Sequence, residues 1–183
     1  LNLPESYHAH ALNNLADVYR QRGDRPRARA AAAEAVALSH FAVNKLMVMQ
    51  SQFSLARTML SPDEYREAAP HVAAYLAYVW DMGDHWSLTP CLEAAASVLH
   101  FARQWEAAAY VYGAAHALRA ALPYPLGVAE RDPLQQEITV VQAAIGPTAF
   151  QQAWRAGSSQ PLPVIVTAAA HALESVAQGS ATG

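Results

Sequence analysis

The sequence predicts an all-α fold, an α-α superhelix of about three helix pairs closed by C-terminal capping helices. Three observations predict it. Apolar residues recur at helical spacing along nearly the whole chain, and strict strand-like alternation never runs beyond a few residues. The breaks between those stretches carry helix-end chemistry. The chain also matches itself at a shift of 40 residues.

In order, the periodicity predicts helices over 5–22, 25–39, 42–59, 62–82, 87–102 and 105–121, then shorter ones near 132–145, 147–156 and 161–177. Gly23-Asp24 ends the first, since glycine tolerates the left-handed conformation of a helix C-terminus. Ser61-Pro62-Asp63-Glu64 has capping-box spacing, with proline where its missing N–H costs nothing. Gly83-Asp84 repeats the first break, Asp132-Pro133 reads as another N-cap, and Gly146-Pro147 closes one helix and opens the next. Gln178 to Gly183 reads as a frayed tail. The helices group into pairs at about 1–40, 41–82 and 83–122, a cap over 123–177 and the tail 178–183, within a single structural domain.

The 40-residue shift superposes Leu15 on Leu55 and Ala95, Ala16 on Ala56 and Ala96, and Tyr19 on Met59 and Leu99. In the second helix of each pair Ala28 meets Ala68 and Ala108, Ala32 meets Val72 and Tyr112, and Ala35 meets Tyr75 and Ala115. Alanines at 16, 56 and 96, and at 28, 68 and 108, let paired axes approach closely. One pair alone cannot bury both of its faces, and stacking on neighbours does.

Composition bounds the partners. Just over half of the 183 residues are hydrophobic, 15% are charged and the formal net charge is −3, so nothing points to nucleic acid as a direct partner. Residues 1–60 hold seven cations and four acids, whereas residues 61–183 hold five and eleven. Arg20, Arg22, Arg25, Arg27 and Arg29 carry much of the first excess, as a solvated face or as a patch for an acidic partner surface or phosphate. Cys91 is the lone cysteine, which excludes an intrachain disulfide and suits a reducing, cytoplasmic setting. No apolar run suits a bilayer and no signal-peptide pattern opens the chain, so no membrane partner is expected. The Leu-Asn-Leu start suggests a fragment of a longer protein.

Catalytic chemistry has little to stand on. Lys45 is the only lysine, so no G-x-x-x-x-G-K-[ST] loop occurs, and no G-x-S-x-G elbow appears. Cys91, between Leu88 and Leu92, reads as a small core residue. His8 and His10 project to different sides of a helix, and His40, His71, His85, His100, His116 and His171 lack the pairing of a zinc helix. Asp63, Glu64, Glu67, Asp81 and Asp84 fall at helix ends, where capping explains them. Trp80, Trp86, Trp105 and Trp154 read as core or junction fillers, with a share in an aromatic groove as the other reading. The expectation is a chain that is not an enzyme and holds no metal and no cofactor.

Residues 11–28, with ALNNLADVY running into Gly23-Asp24 and Ala28, resemble a tetratricopeptide repeat, although the unit exceeds the usual ~34 residues. In that respect the chain is similar to the elongated repeats in the C-terminal arm of MalT-like and LuxR-type bacterial regulators. AAAYVYGAAHALR over 107–119 resembles the "AA-x-L-x-GAA-x-ALR" stretch of such arms. Pro125-Leu126 with Ala129-Glu130-Arg131 resembles the "PL…ER" that follows it, and FQQAWRAG over 150–157 resembles "F-x-x-AW-x-x-G". The family's acidic "SLEEA" start of the last helix is replaced here by the apolar QPLPVIV over 160–166.

The resemblance implies a non-catalytic arm of a signal-transduction ATPase that receives a protein, a peptide or a small-molecule inducer. If the stack curves as such repeats do, the first helix of each pair lines the concave surface. The expected contact residues are then His10, Asn13, Asp17 and Arg20 in the first unit and Glu93, Ser97 and His100 in the third. A generic scaffold module of another multidomain protein is the rival reading, and an enzyme on a helical scaffold a third. The oligomeric state stays open, self-association included.

Overall fold

The computed structural model describes residues 5–42, 44–122 and 128–179. Pro125 and Leu126 of the "PL…ER" stretch, the opening Leu-Asn-Leu and residues 180–183 of the expected tail lie outside them. The fold is all-α, and among the described residues there is no strand. The helices are α1 (Glu5–Gln21), α2 (Arg25–Ser39), α3 (Lys45–Thr58), α4 (Tyr65–Asp81), α5 (His85–Phe101), α6 (Trp105–Ala121), α7 (Val128–Ser159) and α8 (Leu162–Ala177), with a 3-10 turn at His40–Ala42. Each packs on at least one other helix.

Local chemistry sets most of these boundaries. The Asp24 carboxylate accepts from Arg27 N, Asn44 Oδ1 from Met47 N, and Asp84 from Trp86 N and Ser87 N, each satisfying N–H groups that have no partner within the helix. Gly23 and Gly83 take φ of 74° and 66°, and Asp24 N and Asp84 N reach back to the carbonyls of Tyr19 and Val79.

Two expected starts are corrected. Ser61–Glu64 does not cap a helix beginning at residue 62. It forms a turn in which Glu64 N and Tyr65 N both donate to Ser61 O, and α4 begins at Tyr65 without a side-chain cap. Asp132-Pro133 is not a helix start either, because α7 already runs from Val128. Pro133, like Pro70 in α4 and Pro90 in α5, is the sixth residue of its helix, where a missing N–H leaves only one early carbonyl without its bond. The break at Gly146-Pro147 is present, with Gly146 at φ 79° and ψ 160° dividing α7 into two helical halves.

A turn of the same kind as Gly23 and Gly83 joins α5 to α6, but Arg103 holds the left-handed position, at φ 59°. Gln104 N bonds to Leu99 O across it, so the turn forms without glycine. A side chain in this conformation is strained by about 1 kcal/mol relative to glycine. Arg103→Gly is therefore expected to raise the urea midpoint, even though glycine is the more disordered residue when unfolded. An unchanged or lower midpoint would show that the Arg103 side chain compensates for the strain.

The chain divides into two compact units, Leu1–Met59 and Leu60–Gly183. The division falls inside the expected pair 41–82, so α3 belongs with α1 and α2, and α4 with α5 to α8. The first unit has an alanine core in which Ala9, Ala16, Ala28, Ala31, Ala32 and Ala35 are buried, with Leu12 and Leu55 packed against Ala16, Ala31 and Ala32. The second holds the largest fully buried side chains, among them Tyr112, Leu76, Leu88, Leu92, Leu99, Ile165 and Leu173. Each buried leucine there stabilises the unit by about 1.5–3 kcal/mol.

Most of the 40-residue register is physical. The small residues 16, 56 and 96, and 28, 68 and 108, are all buried, as are Ala32, Val72 and Tyr112, and Ala35, Tyr75 and Ala115. The Leu15 series does not share one environment: Leu15 is 40% exposed, Leu55 half-buried and Ala95 fully buried. Cys91 is buried, with its thiol toward Val72 O at 3.7 Å. Trp86 does not fill a junction: it is 52% exposed, while its backbone N–H donates to Asp84.

Candidate functional site

In the first unit, the expected contact residues lie along α1. His10 is exposed. Asn13 Nδ2 donates to Ser51 Oγ of α3 at 3.0 Å. Asp17 accepts from Arg20 at 3.1 Å and from Arg57 of α3 at 2.8 Å. Asn13, Asp17 and Arg20 thus form a polar seam in which α3 meets α1, continued at the end of the helix by Arg25 donating to Thr58 O. Ion pairs as open as these contribute at most about 1 kcal/mol each.

In the second unit, Glu93, Ser97 and His100 share one face of α5, as their spacing requires. That face meets α6 and the first half of α7. Ser97 and Tyr112 both donate to Glu137 Oε2, at 2.6 and 2.5 Å, which ties three helices to one carboxylate. His100 is 8% exposed, its ring edge-on to Phe101 and Trp105, and its Nδ1 has no hydrogen-bond partner among the described residues. Since the Ser97 hydroxyl is directed to Glu137, no serine–histidine relay forms. Glu93 is held by Arg119 in a two-pronged ion pair, with N···O distances of 2.6 to 2.8 Å, and both side chains are largely buried. The structure therefore brings the three α5 residues together with Tyr112, Arg119 and Glu137.

Burial has titration consequences. It pushes the His100 imidazole below its ordinary value, against the raising influence of Glu137. It pushes the Tyr112 phenol well above its ordinary value, and the Glu137 charge adds to that. Below about pH 6.5 the unfolded chain takes up a proton that folded His100 resists, and above about pH 10 it loses one that folded Tyr112 keeps. Stability should therefore fall on both sides of that window. Urea midpoints across pH are expected to show an acid limb, beginning below about pH 6.5, that flattens in His100→Gln. An unaltered limb in that variant would assign it to other groups.

Beside this cluster lies a cavity of about 390 Å³. Its walls come from α6 and from both halves of α7, and the Gly146 break lets one helix supply two of them. Arg131, Leu134, Gln135, Ile138 and Gln142 recur on one face of the first half. Phe150 and Trp154 line it from the second half, and Tyr112, Ala115, His116 and the Glu93–Arg119 pair complete the lining. The Phe150 and Trp154 rings lie 5.4 Å apart at 34°, and His116 sits 5.4 Å from Trp154 at 50°.

The aromatic wall is positioned by two glycines. A Cβ at Gly113 would strike the Trp154 carbonyl, and one at Gly157 the Tyr110 carbonyl, so α6 and the second half of α7 touch backbone to backbone. Ser158 Oγ donates to Gly113 O and Trp154 O along the same seam.

Sequence reasoning did not single out Tyr112, His116, Arg119, Arg131 or Glu137 as site residues. The signal available was the Gly146-Pro147 break between two apolar stretches, which marks a bend but not what faces it. Among the described residues no group of three or more His, Cys, Asp and Glu side chains is arranged to hold a metal ion, and no helix is long and apolar enough to cross a membrane. No protein-family model, curated protein or solved structure matches the chain.

Proposed function

We propose that this chain is a non-catalytic binding module of tetratricopeptide-like helix pairs, acting in the cytoplasm as the C-terminal sensing arm of a LuxR/MalT-like bacterial transcriptional regulator. The arm takes a protein, a peptide or a small inducer and passes its occupancy to a nucleotide-binding domain. One observation carries the reading: the stretches that resemble such arms, 107–119 and 150–157, both line a single cavity. Tyr112, His116 and Arg119 come from the first stretch and Phe150 and Trp154 from the second. A ligand lodged there touches α6 and both halves of α7 together, so binding biases how those helices pack, as a sensor requires.

The reading of the chain as non-catalytic is supported by the burial of Ser97, His100 and Tyr112, whose reactive groups are spent on internal contacts or enclosed. The test is the gene itself. Residues encoded upstream of Leu1 are expected to include a G-x-x-x-x-G-K-[ST] loop that follows a hydrophobic strand and opens a helix. An upstream region with no nucleotide-binding loop would overturn the regulator assignment in favour of a scaffold module.

A further inference from the structure

We infer that the cavity between α6 and the two halves of α7 is a binding site for a small planar organic monoanion, an aromatic or fused-ring carboxylate. This deepens the sensing-arm reading by naming the chemistry of a small inducer. At about 390 Å³ the cavity lies toward the small end of ligand sites, which run from about 300 to 1,000 Å³.

The walls select for shape. Trp154, Phe150 and His116 form a tilted aromatic surface, and the Gly113–Gly157 contact fixes the Trp154 backbone. Leu134 and Ile138 face it from the first half of α7. A flat ring inserted between them gains offset stacking on one side and aliphatic contact on the other. The aromatic wall is already in place, so little ordering cost remains on binding.

The charges select for sign. Arg119 is spent on Glu93, two prongs to one carboxylate, and the pair contributes no net charge to the lining. Arg131 lies exposed on the lining and forms no ion pair or hydrogen bond among the described residues. One net positive charge matches a single carboxylate, which a guanidinium grips in two-pronged fashion. Gln135 and Gln142 beside it offer amide groups to further polar substituents on the ring. A phosphate dianion fits less well, since its second charge would meet the apolar walls without a second available cation.

The test is calorimetric titration of the whole chain with 2-naphthoate and with its neutral counterpart 2-naphthamide. Naphthoate is expected to bind at one saturable site, about tenfold more tightly than the amide, the size of one charge-assisted contact. Arg131→Gln, an exposed substitution whose fold is checked by circular dichroism, should remove that difference by weakening the acid alone. Gln142→Trp, which fills the cavity from its exposed rim, should abolish binding of both. No saturable heat with naphthoate, equal affinity for acid and amide, an acid preference that survives Arg131→Gln, or binding that survives Gln142→Trp would each overturn the inference. If the upstream loop is present and naphthoate does not bind, the ligand assignment alone fails. If naphthoate binds as described and the loop is absent, the site stands and the regulator reading fails.

Discussion

Gly157→Ala is expected to destabilise the second unit by about 3 kcal/mol or more, against the direction that helix propensity predicts. In an isolated helix, replacing glycine by alanine stabilises by about 1 kcal/mol, because alanine loses less backbone freedom. Here the added methyl would meet the Tyr110 carbonyl, a backbone atom that cannot rotate aside. Relief requires moving α6 away from the second half of α7, which also withdraws Trp154 from His116 and opens the Ser158 bond to Gly113 O. Gly113→Ala meets the Trp154 carbonyl from the other side and should behave alike. Urea unfolding followed by circular dichroism gives the sign directly. A midpoint at or above that of the parent would mean that the two helices do not touch along this seam.

Arg119→Leu should cost about 3 kcal/mol, since it removes the ion-pair partner of the largely buried Glu93 carboxylate. The double variant Glu93→Leu with Arg119→Leu should recover much of that loss, because two apolar side chains leave no buried charge without its counter-ion. The pattern to look for in denaturant midpoints is a double variant more stable than the single Arg119→Leu. Strict additivity of the two single effects would show that solvent reaches the pair freely and that its burial is energetically unimportant.

How far the site could be read from residues alone is clear at α5. The spacing of Glu93, Ser97 and His100 puts them on one helical face, and so they are found. Nothing in that spacing says which element covers the face. The partners are α6, whose Arg119 holds Glu93, and α7, whose Glu137 lies 40 residues beyond Ser97. A contact of that separation is encoded in no local pattern. Likewise Asn13, Asp17 and Arg20 are legible as a polar stripe on α1, whereas their pairing with Ser51 and Arg57 depends on α3 folding back.

The helices themselves, their glycine and aspartate breaks and the buried alanine register at 16, 56 and 96 follow from the amino-acid order. Propensity, capping and 3.6-residue periodicity act over a few residues at a time. The left-handed Arg103, the backbone contact of Gly113 with Trp154, and the cavity enclosed by a helix bent at Gly146 were decided by packing. Each depends on the angle and distance at which distant helices meet, and those are set by the sum of many weak side-chain contacts.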